Sequence, residues 1–264
     1  MRVCILGSGL SSLTLAKALV NQKIYVDFLF SKKRQLANKS RTIGISKSNV
    51  EFLNKKIVNI EKIIWKLNKI EIYSENLEKQ KLINFGNNND YLFSIIKNHK
   101  LEEILKNILI KNKFFKKINF TKKINFTQDY DLVFNTDYNN KLTKKYFFKK
   151  IQKKYNSFAY TTILQHEKIY NNVAVQIFTR NGPLAFLPIS DYETSVVYSM
   201  HYKVKNQHQI NNLIKDYNFK YKLKKIGKIE CFELKGLFLR SYYYKNILAF
   251  GDLLHRIHPL AGQG

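Results

Sequence analysis

The sequence predicts an α/β fold, and three stretches predict it. They are a strand–glycine turn–helix–strand unit over the first thirty residues, a run of short strands after Ile169, and an apolar strand near the end that delivers an aspartate. Strands that alternate with helices build parallel sheets, whereas short strands divided by turn signals build antiparallel ones, so both kinds are expected in one chain.

Val3 to Leu6, VCIL, is a short apolar run of the kind buried on both faces of a parallel sheet. Gly7, Ser8 and Gly9 follow as a tight turn. From Leu10 the apolar residues Leu13, Ala16 and Val20 recur at helical spacing, with Lys17 and Asn21 on the polar side. Ile24 to Phe30, IYVDFLF, is the second strand. In that context the N–H groups of the turn and first helical turn face a pyrophosphate, whose charge the helix dipole favours. The third glycine of the usual pattern is Ser12, and the acid expected after the second strand to hold a ribose is Phe30. Asp27 does not replace it, because three strand residues place it about 10 Å too early. Ser31 offers one weaker hydrogen bond, so a dinucleotide is expected to bind weakly at its adenosine end. Taken alone, the segment is also compatible with a glycine turn that binds nothing.

Ser40 to Leu53 begins as a loop or strand and becomes helical; its Arg41 is either a cation within reach of a cofactor or a solvated arginine. Asn98 to Asn112 is an amphipathic helix with Leu101, Ile104, Leu105, Ile108 and Leu109 inward. Asp129 to Asp137 reads as a strand emerging at Asp137. VAVQIF, LAFLPI and TSVVYSM are strands, the first two joined by an RNGP turn. Lys203 to Lys225 reads as one helix with a polar face. Tyr244 to Asp252 is the last strand, and the carboxyl ends of such strands are where open α/β sheets bind ligands.

An apolar fraction of 45% over 264 residues suffices for a sizeable core and excludes a disordered chain. No apolar run reaches the roughly 20 residues of a membrane span, and the N-terminus lacks a secretory cleavage pattern, so the chain is read as cytoplasmic. Cys4 and Cys231 give neither a disulfide framework nor a metal spacing. The net charge of +27 would attract nucleic acid or anionic lipid. The lysines are scattered, accompany equally heavy Asn and Ile, and come with no nucleic-acid fold signature. They read as compositional drift, with a mild attraction to membrane surfaces as a side effect.

The last fourteen residues, GDLLHRIHPLAGQG from Gly251 to Gly264, resemble the second flavin-binding sequence of the single-component flavin monooxygenases related to para-hydroxybenzoate hydroxylase. Within that group they are most similar to the ubiquinone-biosynthesis hydroxylases, whose pattern is close to GDAAHxxHPxAGQG. VCILGSGLSSLTLAKAL, SRTIGIS and FTRNGPLAFLPISDYETSVVYS agree in order and spacing.

The resemblance implies a Rossmann-like FAD-binding domain (about 1–50, 95–145 and 240–264) interleaved with a mostly antiparallel β substrate domain (about 51–94 and 146–239). It implies FAD held by Gly7, Gly9, Ser12, Arg41 and Asp252, with Pro259, Gly262, Gln263 and Gly264 along the ring. His255 and His258 fall on family positions as packed or capping residues, since the cofactor carries the chemistry. The implied reaction takes electrons from NAD(P)H or another donor and transfers one oxygen of O2 to a prenylated phenol, at or near the inner face of the membrane and in assembly with other proteins of ubiquinone biosynthesis. Another flavin oxidoreductase, such as a prenyl reductase, and a degenerate non-catalytic FAD-fold protein are the alternatives. Three departures set further expectations. The family's Asp-Gly element is Asp137-Tyr138, so a left-handed turn there would be strained; the stretch from His99 to Asp131 is short, suggesting lost strands; and the family continues past GQG into a helix, so a fragment or decayed copy, inactive as a hydroxylase, is expected.

Overall fold

The computed structural model describes residues 1–29, 39–75, 81–86, 90–118, 124–204 and 206–257, and these form three sheets, with strands numbered along the chain. β1 (Arg2–Leu6) lies inside a six-stranded sheet. β2 (Tyr25–Leu29) and β8 (Phe115–Ile118) extend it on one side, β9 (Leu132–Asn135) and β17 (Ile247–Ala249) on the other, all parallel. β16 (Tyr243–Tyr244) closes the edge as an antiparallel hairpin arm. The order β8-β2-β1-β9-β17 reverses direction at β1. A crevice therefore opens between β1 and β9 at the strands' carboxyl ends.

Alternation along β1 and β2 buries both faces of this sheet. Val3, Ile5, Val26 and Phe28 pack with Leu13, Ala16 and Val20 of α1 (Leu10–Asn21) and with Leu101, Leu105 and Leu109 of α3 (Asn98–Ile110). Cys4, Leu6 and Leu29 turn the other way, toward Tyr130, Phe147, Leu239 and Leu253. Each large aliphatic side chain so buried contributes about 1.5–3 kcal/mol, which fixes the register of both strands. Ile108 is exposed rather than inward, because the Leu101–Leu105–Leu109 stripe already fills the contact.

β3 (Thr42–Ser46), β7 (Phe93–Lys97) and β4 (Ile64–Leu67) form a small antiparallel sheet whose Ile45 and Ile96 join the α1–α3 core. α2 (Lys47–Phe52) follows β3, capped by the Ser46 hydroxyl, which accepts from the Asn49 amide at 3.3 Å. Ile57, Val58 and Ile60 pack into the same core, although the expected boundary at residue 50 assigned them to the substrate domain.

The third sheet is nine-stranded, built on β10 (Lys150–His166), β13 (Glu193–Met200), β12 (Gly182–Pro188) and β11 (Val173–Thr179). β15 (Glu230–Leu239), β14 (Leu223–Ile226) and β18 (His255–Arg256) extend one side, β5 (Lys69–Ser74) and β6 (Lys81–Gly86) the other. All pairings are antiparallel except β5 with β11. α5 (Gln207–Tyr217) lays Ile210 and Ile214 on one face. α4 (Lys141–Tyr146) links β9 to β10. Side chains join the sheets: Trp65 donates to the Asn171 carbonyl at 2.6 Å, and Ser40 bonds Thr161 and Glu230.

Two expected elements are shorter than the sequence suggested. The helix read over Lys203–Lys225 ends at Tyr217, because the Asn218 side chain bonds both backbone groups of Tyr221 and turns the chain into β14. The strand read from Tyr244 breaks at Lys245, whose φ of 51° makes the hairpin turn between β16 and β17.

Candidate functional site

Three chain segments meet at the carboxyl ends of β1, β9 and β17. After β1, the Gly7 amide donates to the Leu29 carbonyl at 3.3 Å and Gly7 takes φ +115°; a Cβ there would stand 2.1 Å from Thr136 Oγ1. Glycine is obligatory on both counts. Gly9 differs. It is the N-cap of α1, with an ordinary φ of −79°, and among the described residues nothing lies within 4 Å of where its Cβ would be. The Leu13 amide bonds the Gly9 carbonyl at 3.0 Å, but Gly9 brings no capping side chain, and no described residue accepts from the amides of Leu10 and Ser11. Among the described residues the helix thus presents unpaired donors at its positive end.

From β9, Thr136 reaches across. Its amide and hydroxyl both donate to the Leu6 carbonyl, at 2.9 and 3.0 Å, and its Oγ1 accepts from Ser12 Oγ at 2.7 Å. Ser12 is fully buried, so its side chain belongs to this helix–strand contact, and what it can offer a ligand is its backbone. From β17, the Phe250 amide donates to the Asn135 carbonyl, and Gly251 turns with φ +64° against Ser11, whose Cβ and Oγ lie 3.0 Å from its missing Cβ. The next residue, Asp252, is exposed in a short 3-10 turn. Gly7, Gly9, Ser12 and Asp252 are thereby gathered around the first turn of α1. Thr136 and Ser11, which complete the arrangement, carry no motif of their own in the sequence.

The Asp137-Tyr138 turn is not strained. Among the described non-glycine residues only Lys23, Asn156 and Lys245 have positive φ. Asp137 builds the turn instead: its carboxylate accepts from the Asn139 amide at 2.9 Å and its carbonyl from the Thr143 hydroxyl at 2.7 Å. Tyr138 Oη accepts from Lys150 Nζ at 2.6 Å and Gln152 Nε2 at 3.0 Å. The Lys150 hydrogen bond above all lowers the phenol pKa; burial opposes it, and Gln152 and the charges of Lys150 and Arg256 add to the lowering.

Arg41 is exposed, with its guanidinium 5.5 Å from the Phe232 ring centroid and its carbonyl accepting from the Asn98 amide. At that helix start, buried Asn98 Oδ1 and His99 Nδ1 have no partner among the described residues. Burial first, then Lys97, Lys100 and Lys39, lower the His99 pKa and favour the neutral ring. Neither residue was singled out from sequence; a polar pair at a strand-to-helix junction was the available signal. Pro259, Gly262, Gln263 and Gly264, with His258, Phe30 and Ser31, lie outside the described residues.

The chain superposes over its whole length on solved oxygenases. Against 2-methyl-3-hydroxypyridine-5-carboxylic acid oxygenase the TM-score is 0.80 at 13% identity, covering 100% of this chain and 78% of the other. Against p-nitrophenol 4-monooxygenase from Pseudomonas putida it is 0.79 at 12%, covering 99% and 75%. Against PqsL, a probable FAD-dependent monooxygenase from Pseudomonas aeruginosa, it is 0.75 at 13%, covering 100% and 81%. The chain has their fold. No family model matches the sequence.

Within that fold the geometry suits a long, polyanionic ligand. Helix amides without acceptors among the described residues would donate to a phosphate, the space beside Gly9 would let a ligand reach the backbone, and exposed Asp252 would offer a carboxylate to hydroxyl groups. Uncompensated Asn98 and His99 atoms offer further polar contacts.

Proposed function

We propose that this chain binds FAD along the carboxyl ends of β1, β9 and β17 and acts as an FAD-dependent monooxygenase on an aromatic compound, a prenylated phenol of ubiquinone biosynthesis being the substrate class. The meeting of the Gly7–Gly9 turn, Thr136–Asp137 and Gly251–Asp252 around one helix start carries the reading. The fold shared with oxygenases named for small aromatic compounds supports it, and so does the closing motif, which resembles that of the ubiquinone-biosynthesis hydroxylases.

The amides of the first α1 turn and Gly9 would hold the pyrophosphate, and Asp252 would accept from ribityl hydroxyls. Arg41 would supply a cation near the ring, and Pro259, Gly262, Gln263 and Gly264 would lie along it. The chemistry supplied by bound FAD is reduction by NAD(P)H or another donor and activation of O2. The protein's part is to hold substrate and cofactor together and to keep water out.

The test is to titrate the purified chain with FAD, following flavin fluorescence, and then measure NADPH and O2 consumption with and without a prenylated phenol. Equal consumption of both, rising with the phenol, is expected together with a hydroxylated product. Flavin reduction without phenol-dependent O2 uptake would point to another oxidoreductase, such as a prenyl reductase. A colourless protein that takes up no FAD, yet has a folded circular dichroism spectrum, would point to a non-catalytic descendant.

A further inference from the structure

The first half of β10 and the end of β15 leave the body of the large sheet as a ribbon. β13 pairs β10 only from Phe158 onward, whereas β15 pairs it down to Lys150, and β18 adds two residues at the far edge. The inner face of this ribbon is accounted for: Leu237 and Leu239 are buried, and Lys150 and Gln152 bond Tyr138. The outer face is not. Ile151 and Phe238 are cross-strand partners, 48% and 41% exposed, and His255 sits opposite Phe238 on the third strand. Strand alternation puts Lys153 on the same face as Ile151. The Tyr155 ring lies there too, over Gly236, with the Lys153 ammonium 5.6 Å from its centroid. The Arg240 amide bonds the Lys149 carbonyl, so exposed Phe148 and Tyr242 flank the end of the ribbon.

A ribbon with one buried face ordinarily carries polar residues on the other. Here the outward face is aliphatic, aromatic and cationic. Segments 138–166 and 234–251, which build it, contain nine lysines and one arginine and no Asp or Glu. Lys235 pairs with Glu233 of the same strand at 2.6 Å, so the positive excess of this region rests on the other lysines and Arg240. We infer that this outer face is a docking surface for an anionic bilayer, in which Ile151 and Phe238 enter the headgroup boundary while the lysines meet lipid phosphates. Among the described residues no helix is long and apolar enough to cross a membrane, so the contact is made at the surface. A nucleic acid is the less suitable occupant. Exposed Phe238 has aliphatic Ile151 as its cross-strand partner, and Tyr146 and Tyr244 stack on each other at 4.0 Å, so the face pairs one ring with an aliphatic side chain that suits an acyl boundary and offers no second platform for a base. The inference does not depend on FAD being the cofactor.

The experiment is co-sedimentation of the full chain with vesicles of phosphatidylcholine alone and of phosphatidylcholine mixed with phosphatidylglycerol, at several salt concentrations. Binding to the mixed vesicles is expected, with Ile151→Glu/Phe238→Glu weakening it at least about tenfold and Lys153→Gln about fivefold. Ile83→Glu, an equally exposed site on β6, should leave it unchanged. Circular dichroism of each variant checks folding. Three results would overturn the inference: equal loss from Ile83→Glu, which would mean charge alone; no effect of the Ile151/Phe238 pair; or displacement of the vesicles by a single-stranded oligonucleotide whose own binding needs Ile151 and Phe238.

Discussion

The two ends of the parallel sheet are made from the same strands and have opposite characters. At the amino end lies a cleft of about 480 Å³ lined by Arg2, Tyr25, Asp27, Phe114, Lys116 and Asp131 among others. Its central polar groups are committed: Asp27, nearly fully buried, accepts from Arg2 Nε and Tyr130 Oη at 2.9 Å each, and the Arg2 amide donates to Asp131 at 2.6 Å. The carboxyl end has glycines, helix amides without acceptors among the described residues and an exposed aspartate. The first end is a cleft whose polar groups are already paired, and the second has hydrogen-bonding capacity unmet among the described residues. A ligand gains most where donors are unsatisfied and pre-placed, which supports the carboxyl end as the proposed site and the amino end as a brace.

The sharpest way to break this comparison uses the two glycines of the turn. Gly7→Ala forces a positive φ on alanine and a methyl group into Thr136, and should cost roughly 2–6 kcal/mol in urea unfolding, if the chain folds at all. Gly9→Asp should leave stability within about 1 kcal/mol or raise it, since aspartate is a favoured N-cap and nothing obstructs it. The same carboxylate would repel a pyrophosphate, so FAD affinity should fall by about a hundredfold or more. Unchanged FAD affinity in Gly9→Asp would remove the α1 terminus from the site.

A smaller effect tests the brace. Tyr130 is raised above the usual phenol range by burial, by neighbouring Cys4 and by its hydrogen bond to Asp27. A raised folded pKa contributes stability that is complete below the unfolded value, near 10, and is lost as pH climbs toward the folded one. Tyr130→Phe should therefore cost about 1–3 kcal/mol at pH 7 and show a shallower decline above pH ~10 than the parent chain. Denaturant midpoints measured across that range decide it.

How much of this was legible in the sequence depended on whether local or distant residues made each feature. The β1–α1–β2 unit was readable because apolar spacing and the glycine pair are local. So were the hairpins from Val173 to Met200, whose turn chemistry lies within a few residues. Ser12 was placed by motif, but its hydroxyl partner, Thr136, is far along the chain, and no local pattern reveals that pairing. The end of α5 was missed because Asn218 acts through its own side chain, against a polar pattern that the following lysines extend. Strain at Tyr138 was expected because a lost glycine suggests a left-handed turn, whereas the Asp137 carboxylate builds a turn that does not need one. The ribbon was not read from the sequence at all, since Ile151 to Tyr155 mixes lysines with apolar residues and its partner strand, β15, lies far along the chain.

The last prediction sets Tyr138 against Tyr130, one at each end of β9. Tyr138 is lowered, chiefly by Lys150, where Tyr130 is raised. At pH 7 both phenols are protonated, and Tyr138 has an exposed ring, so Tyr138→Phe should change stability by no more than about 0.5 kcal/mol. Its signature lies at alkaline pH. A depressed folded pKa adds stability only above the folded value, fully so above the unfolded one, so relative to the parent Tyr138→Phe should lose ground as pH rises toward about 10, whereas Tyr130→Phe should gain it only above about 10. In an ultraviolet titration of the folded chain, Tyr138→Phe should remove an early tyrosinate phase, and Lys150→Met should move that phase back to the ordinary range. If the early phase survives Tyr138→Phe, another tyrosine titrates first and the Lys150 contact does not govern this end of the sheet.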